Sequence, residues 1–292
     1  MIIARSAGRL GNQLFVYAAL RKLNTQRETL VLVGFDDLVQ NFPEVLADSR
    51  HIPLPRKHWW RWDLSEKILK SLGFLKLVSV ITLDSAERRL VISRGILPLT
   101  LFSGGWCQDE GLIDPEIIHA LIQADESLTL RGEAGEEGAL TVSSDDPVFF
   151  IHIRRGDYLT WPTPEFPAAL PESWYQEAMD KIYETQPGAH FLVFSDDDDY
   201  AEKFARGRSN AEAITATPRQ TLTLMSRCTG GIMSASSFSW WGAQLASRQS
   251  RGLFIAPLHW ITWGEKRWDD SHSLADTTFL TWRPVVSPNQ ES

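Results

Sequence analysis

The stretch Val148-Phe149-Phe150-Ile151-His152-Ile153-Arg154-Arg155-Gly156-Asp157-Tyr158 constrains this chain more than any other. A run rich in β-branched and aromatic residues that ends at glycine reads as a strand covered on both faces, hence a parallel strand inside an α/β sheet. Its polar tail falls where such strands deliver side chains to a ligand crevice. Alternation along the strand puts His152 and Arg154 on one face and turns Arg155 to the other. A guanidinium forks onto phosphate oxygens and an imidazole hydrogen-bonds a base or ribose, so the pair suits a nucleoside diphosphate. The alternative is a strand end whose two arginines pair with nearby carboxylates. Adjacent arginines at a strand end have no obvious core role.

With 292 residues, 43% of them hydrophobic and 23% charged, the chain is long enough for one large or two ordinary soluble domains. A formal net charge of -8 argues against a nucleic-acid groove and makes the paired arginines stand out as a small anion site. Twelve tryptophans offer broad apolar faces that serve cores and also sugar rings. The N-terminus, Met1 to Arg9, lacks the apolar core of a signal peptide, and the segment Leu69 to Leu83 is broken by Lys70 and Lys76 and too short to span a bilayer. These features lead to the expectation of a cytoplasmic protein with at most peripheral contact at the inner face of the membrane. Cys107 and Cys228 have no metal-ligand spacing and read as reduced thiols or core fillers.

Met1 to Ser6 reads as a first strand, followed by a glycine turn, Ala7-Gly8-Arg9-Leu10-Gly11-Asn12-Gln13, and a helix with Leu14, Phe15, Tyr17, Ala18, Leu20 and Leu23 at helical spacing. A helix N-terminus after a glycine turn attracts anions, and the amides of Asn12 and Gln13 can donate to phosphate or sugar hydroxyls. A plain tight turn is the alternative. Leu30 to Val33 reads as a second strand, and the region from there to about residue 100 is poorly patterned. It holds His58-Trp59-Trp60-Arg61-Trp62, either loop packing or an acceptor platform. Ser103-Gly104-Gly105-Trp106-Cys107-Gln108 is a second glycine turn, residues 114 to 123 read as a helix, and Gly132 to Pro147 reads as a linker. Beyond the central strand, Trp161 opens a proline-stiffened loop. Helices are expected over Glu172 to Thr185, from Thr221 to Ser226 and over Phe238 to Ala246, and strands at Phe191 to Ser195, Gly231 to Met233 and Leu253 to Ala256. This alternation is Rossmann-like.

Asp196-Asp197-Asp198-Asp199 admits three readings: a divalent-cation site, a carboxylate that accepts the two N-H donors of guanine, or an acidic helix cap. Arginine charge can replace a cation, since a unit charge about 4 Å away is worth roughly 4 kcal/mol at an effective dielectric near 20. Ser234-Ala235-Ser236-Ser237-Phe238-Ser239-Trp240-Trp241-Gly242-Ala243 places serines at a helix start, where hydroxyls and amides can complete a diphosphate cradle or simply cap the helix.

Four motifs in order, Gly8 to Phe15, His152 to Tyr158, Phe194 to Asp197 and Ser236 to Ala243, resemble the α-1,2-fucosyltransferases of glycosyltransferase family 11 along nearly the whole chain. The resemblance implies an α/β, GT-B-like architecture: two Rossmann-like domains facing a cleft, the N-terminal one less regular. Residues 1–146 would be an acceptor-side domain and 147–292 the GDP-fucose-binding one. It implies a metal-independent, inverting hexosyltransferase that moves L-fucose from GDP-β-L-fucose to the 2-hydroxyl of a galactose-terminated oligosaccharide or glycolipid, with no cofactor. By similarity Arg154 clamps the β-phosphate, His152 contacts guanosine, Asp197 reads guanine, and Ser236 and Ser237 contact the diphosphate, with Arg155, Phe238, Gly11 and Arg9 also on the donor side. Asn12 would lie near the donor phosphate and the transferred sugar. Asp157 is the nearest candidate base, or else it orients Arg155 or Arg9. Trp106, Gln108 and Trp161 are the acceptor-side candidates. The chain departs from the family pattern at Ala235, where an Asn is usual, and at Pro218-Arg219-Gln220-Thr221. The competing expectations are another sugar-nucleotide transferase with a metal at the Asp tetrad, and a non-catalytic glycan-binding protein.

Overall fold

The computed structural model describes residues 1–6, 8–55, 59–84, 87–123, 146–248, 252–259 and 277–280, without the side chains of 59–62 and 166. The aromatic cluster at 58–62, most of the expected linker and the tryptophans beyond His259 therefore lie outside the described residues or side chains. The chain divides into two compact units, Met1–Leu121 and Ile122–Ser292. The expected boundary after residue 146 lies just past the stretch 124–145, which is outside the described residues.

The first unit runs β1 (Ile2–Arg5), α1 (Leu10–Leu23), β2 (Leu30–Val33), α2 (Asp36–Asn41), β3 (His51–Leu54), α3 (Trp59–Phe74), β4 (Ser79–Asp84), β5 (Arg89–Ser93), β6 (Thr100–Ser103) and α4 (Glu116–Gln123), the last straddling the division. Its six-stranded sheet has the order β3-β2-β1-β6-β4-β5, parallel except where β5 runs back along β4. Among the described residues, the region expected to be poorly patterned thus holds three strands, β3, β4 and β5, and two α-helices. Two of those strands, β3 and β5, are the edges of the sheet and carry no continuous apolar run: β3 includes Pro53, and β5 is exposed along nearly all its length. The turn after β1 needs Gly8, whose φ is +91° and whose missing Cβ would lie 2.6 Å from Nδ2 of Asn12.

The second unit runs β7 (Val148–Ile153), β8 (Pro162–Thr163), β9 (Phe166–Pro167), α5 (Glu172–Thr185), β10 (His190–Ser195), α6 (Asp198–Ala205), β11 (Ala211–Ala213), α7 (Pro218–Ser226), β12 (Gly230–Ile232), α8 (Ser237–Ala246), β13 (Phe254–Pro257) and β14 (Thr277–Leu280). Its main sheet is parallel in the order β11-β10-β7-β12-β13-β14, so the chain steps outward from β7 in one direction and then in the other. That is the strand order of a Rossmann unit, and its topological switch point lies between β7 and β12. The α/β expectation of two Rossmann-like units, the first less regular, is met.

Every residue of β7 is buried, as a strand covered on both faces requires. Phe149, Ile151 and Ile153 pack with Trp174, Tyr175 and Met179 of α5 and Phe204 of α6. Each fully buried side chain of this size contributes roughly 1.5–3 kcal/mol. Phe150 turns the other way onto Phe254, ring centroids 6.5 Å apart. On that side β12 must be bare: a Cβ on Gly231 would lie 2.2 Å from the Phe150 ring. Trp240 and Trp241 are fully buried and meet edge to face at 5.0 Å, so they belong to the core. Helix α7 begins at Pro218, three residues before the sequence-based start. Thr217 and Gln220 close a capping box with Pro at the first helical turn. No helix among the described residues is long and apolar enough to cross a membrane.

Candidate active site

The C-terminal end of β7 gathers Arg154, Arg155, Asp157, Asp196 and Asp197. His152 is buried, its Nδ1 lies 2.5 Å from the hydroxyl of Ser239, and its ring rests 5.2 Å from that of Phe238. Both partners belong to the first turn of α8, so the even-numbered face of β7 looks toward that helix. Burial, more than the opposing influence of Asp196 or the repulsion from Arg154, takes the His152 pKa down from 6.5 to about 4. The imidazole is therefore neutral at ordinary pH. Ser239 holds Nδ1, so Nε2 is the nitrogen left to serve a ligand.

Arg154 follows on the same face. Its guanidinium pairs with Asp157 through Nη2 and with Asp196 through Nη1 at 2.5 Å, and its Cζ lies 5.3 Å from the centre of the Tyr158 ring. Only 11% of its side chain is exposed. Arg155 turns to the opposite side, as alternation predicts. Its Cζ stacks 3.7 Å from the centre of the Tyr200 ring on α6, and its Nε donates to Asp197 at 3.1 Å. The carboxylate-pairing alternative thus describes both arginines as they stand. Asp157, the candidate base or else an orienter of Arg155 or Arg9, engages Arg154, three residues away and within reach in one tight turn.

The acidic run divides its work. Asp196 accepts the Arg155 backbone N-H at 2.7 Å while gripping Arg154. Asp197 caps α6 by accepting the N-H of Tyr200 at 3.1 Å, with its second oxygen on Arg155. Among the described residues no three His, Cys, Asp or Glu side chains converge in a way that could hold a metal ion.

The serines also have separate tasks, of which the sequence argument anticipated only the cap. Ser236 caps α8 by accepting the N-H of Phe238. Ser234, buried past the end of β12, donates its one hydrogen to the carbonyl of His152 at 2.6 Å and accepts the backbone N-H of Arg154 at 2.8 Å. Its remaining lone pair faces the Tyr175 hydroxyl at 2.8 Å, so Tyr175 must be the donor there. One hydroxyl thereby splices the ends of β7, β12 and α5 together and saturates its hydrogen-bonding capacity. The hydroxyl of Tyr158 donates to the carbonyl of Ala235 at 2.9 Å, tying the turn after Arg154 to the entrance of α8. Ser234, Ser239, Tyr175 and Asp196 are the site residues the sequence argument did not single out. Tyr175 was hidden in an apolar helical stripe. Ser239 was legible from its spacing, one helical turn after the Ser236 cap.

In the first unit, the corresponding crossover lies between β1 and β6. Arg9 and Gly11 begin α1, with Arg9 exposed and Gly11 buried. Asn12 accepts a hydrogen bond from Gln108 at 2.7 Å, joining the two glycine turns. Gln13, fully buried, bonds the carbonyl of Gly8 and the N-H of Leu38 and so is a structural brace. Trp106 stands about half exposed beside this pair, and Trp161, equally exposed, packs against Tyr158 in the second unit. Cys107 and Cys228 are free and buried, and burial pushes the Cys107 thiol up to about 12.

Comparison with known proteins converges on one family. The profile of glycosyl transferase family 11 matches residues 136–264. An alpha-1,2-colitosyltransferase of Escherichia coli is 33% identical over 274 residues, 89% of this chain and 92% of that one. The O-antigen biosynthesis glycosyltransferase WbnK of Escherichia coli is 32% identical over 121 residues, 40% of either chain. Among solved structures, the fucosyltransferase NodZ from Bradyrhizobium superposes with a TM-score of 0.45 at 16% identity, covering 84% of this chain and 91% of that one. With the profile over the β7-to-α8 region and a third of the residues shared over nine-tenths of the chain, the protein belongs to glycosyltransferase family 11 and is a glycosyltransferase.

Proposed function

We propose that the second unit binds GDP-β-L-fucose at the end of β7, and that the chain transfers the fucosyl group, without a metal ion, to the 2-hydroxyl of a terminal β-galactoside with inversion to an α-1,2 linkage. What carries this reading is the guanidinium of Arg154 set beside a buried, neutral imidazole and the first turn of α8, at the switch point of a Rossmann sheet. In it Arg154 clamps the β-phosphate, and the first amides of α8 with Ser236 and Ser237 take the remaining oxygens. His152 and Phe238 meet guanosine, Asp197 reads guanine, and Arg155 holds Asp197 in place. Asn12, Gly11 and Arg9 are the further donor-binding candidates, and Trp106, Gln108 and Trp161 the acceptor-binding ones.

The negative charge that develops as the C1–O bond to the diphosphate breaks falls on Arg154 and the helix amides. The acceptor oxygen attacks the opposite face of C1, and its proton goes to a base. Asp157, 54% exposed, is the base candidate, and it now occupies the guanidinium that the diphosphate needs. The diphosphate displaces it, and the freed carboxylate takes the acceptor proton. Asp157→Asn separates the two roles: binding of GDP should tighten by up to about fivefold as an exposed pair is lost, while turnover falls by about 10²-fold or more. Retained turnover would leave Asp157 as a competitor only.

The test of the whole reading is a transfer assay with GDP-fucose and a panel of β-galactosides, with and without EDTA. Transfer in chelator supports it; a requirement for added Mn²⁺ or Mg²⁺ returns the metal-dependent alternative. A chain that binds glycan and ignores GDP in calorimetry would be a lectin. The 33% identity to an alpha-1,2-colitosyltransferase favours one further reading, in which the donor sugar is colitose. Colitose is L-fucose without its 3-hydroxyl, so GDP-colitose belongs in the same assay.

A further inference from the structure

We infer that one edge of the first unit is a docking surface for an anionic lipid bilayer, independently of which sugar the chain transfers. Two turns carry it. Phe74 and Leu75, where α3 ends, are 90% and 64% exposed, and Ile96, between β5 and β6, is 79% exposed. The turns lie side by side, because the N-H of Ile96 donates to the carbonyl of Lys76 at 3.1 Å and that of Leu97 to Leu77 at 2.9 Å. Ile68 on α3 and Ile92 on the edge strand β5, each half exposed, add apolar surface on the neighbouring elements.

The occupant is argued from shape and charge. A phenylalanine 90% exposed stands proud of the surface, so it enters a partner rather than receiving one, and a soft apolar phase accepts it without a matching pocket. Between Lys67 and Leu97 the chain has six Lys and Arg against two acidic residues, within a protein of net charge -8. Lys67, Lys76 and Arg94 are exposed, and among the described residues none has a carboxylate within ion-pair distance. Apolar tips ringed by uncompensated cations match the interface of a bilayer with anionic headgroups. With no spanning helix among the described residues, this contact lies in the plane of the interface.

Co-sedimentation of the full chain with vesicles of phosphatidylcholine, or of phosphatidylcholine mixed with phosphatidylglycerol, tests it. The chain should pellet with the mixed vesicles, release in high salt, and ignore pure phosphatidylcholine. Replacing Lys67, Lys76 and Arg94 together by Gln should weaken binding roughly a hundredfold, at about fivefold per charge. Phe74→Ser with Ile96→Ser should cost about tenfold per side chain. Both variants should keep the wild-type melting temperature and GDP affinity, since the side chains contribute little to the fold. Equal recovery with both vesicle types, no recovery, or wild-type binding by the variants overturns the proposal. So does a dimer in gel filtration that both variants dissolve, which would make the occupant a second copy of the chain.

Discussion

Each unit holds a six-stranded sheet that grows outward from its first strand and then crosses to that strand's other side, yet the side chains joined at the two crossover points differ. At the second unit's crossover, the end of β7 delivers Arg154, Arg155 and a buried imidazole, the end of the neighbouring β10 delivers Asp196, and Ser234 and Ser239 hold the imidazole and the Arg154 backbone in place. At β1 and β6 the two glycine turns meet amide on amide, Asn12 with Gln108, while Arg5 at the end of β1 is held by Asp63 and Glu66 of α3. The topology fixes where a ligand is offered; the two or three residues past each strand decide its charge. Buried fixed charges suit a diphosphate, and an amide pair suits a hydroxyl-bearing ligand.

The largest expected effect breaks or upholds that division at once. Arg154→Ala should lower kcat by about 10²- to 10³-fold in the fucosyl-transfer assay with the fold intact by circular dichroism, and retention of more than about a tenth of the wild-type rate would remove Arg154 from the chemistry. Next in size is the response of the charged side to acid. The buried His152 stays neutral in the folded chain down to about pH 4, whereas in the unfolded chain it takes a proton near 6.5. Its contribution to stability is therefore complete above about 6.5 and lost as pH falls from there toward about 4, by roughly 3 kcal/mol. Urea unfolding across that window should show the slope, and His152→Gln should flatten it. Ser234→Ala leaves a buried N-H, a carbonyl and a tyrosine hydroxyl without their partner and should cost about 2 kcal/mol in the same experiment. The smallest effect belongs to the amide pair. A double-mutant cycle with Asn12→Ala and Gln108→Ala should give a coupling of about 1 kcal/mol in stability. If Gln108→Ala weakened GDP binding as strongly as Arg154→Ala, the contrast between the crevices would collapse.

The central motif was legible because a fully covered strand has an unmistakable composition, and alternation then assigns His152 and Arg155 to opposite helices. The cap roles of Asp197 and Ser236 followed from their place before apolar helical patterns. Edge elements were not legible. The strands β3 and β5 lack a buried face, so neither period appears in their sequence, and the region from Gly34 to Leu99 read as irregular. The start of α7 was missed although Thr217, Pro218 and Gln220 spell out a capping box. The Ser234–Tyr175 contact was out of reach for a different reason: its partners are 59 residues apart and meet only because α5 packs under the sheet. No local pattern encodes such a distance.

The bare backbone of β12 bears on the arginine above it. At Gly231 a lone hydrogen faces the Phe150 ring, and at Gly230 a Cβ would come within 2.2 Å of the carbonyl of Leu253. Neighbouring strands are thereby seated against one another with no side chain as a spacer, and the height of Ser234 relative to Arg154 is set by that seating. One added methyl group three residues away from any charge would tilt the platform on which the guanidinium is aimed.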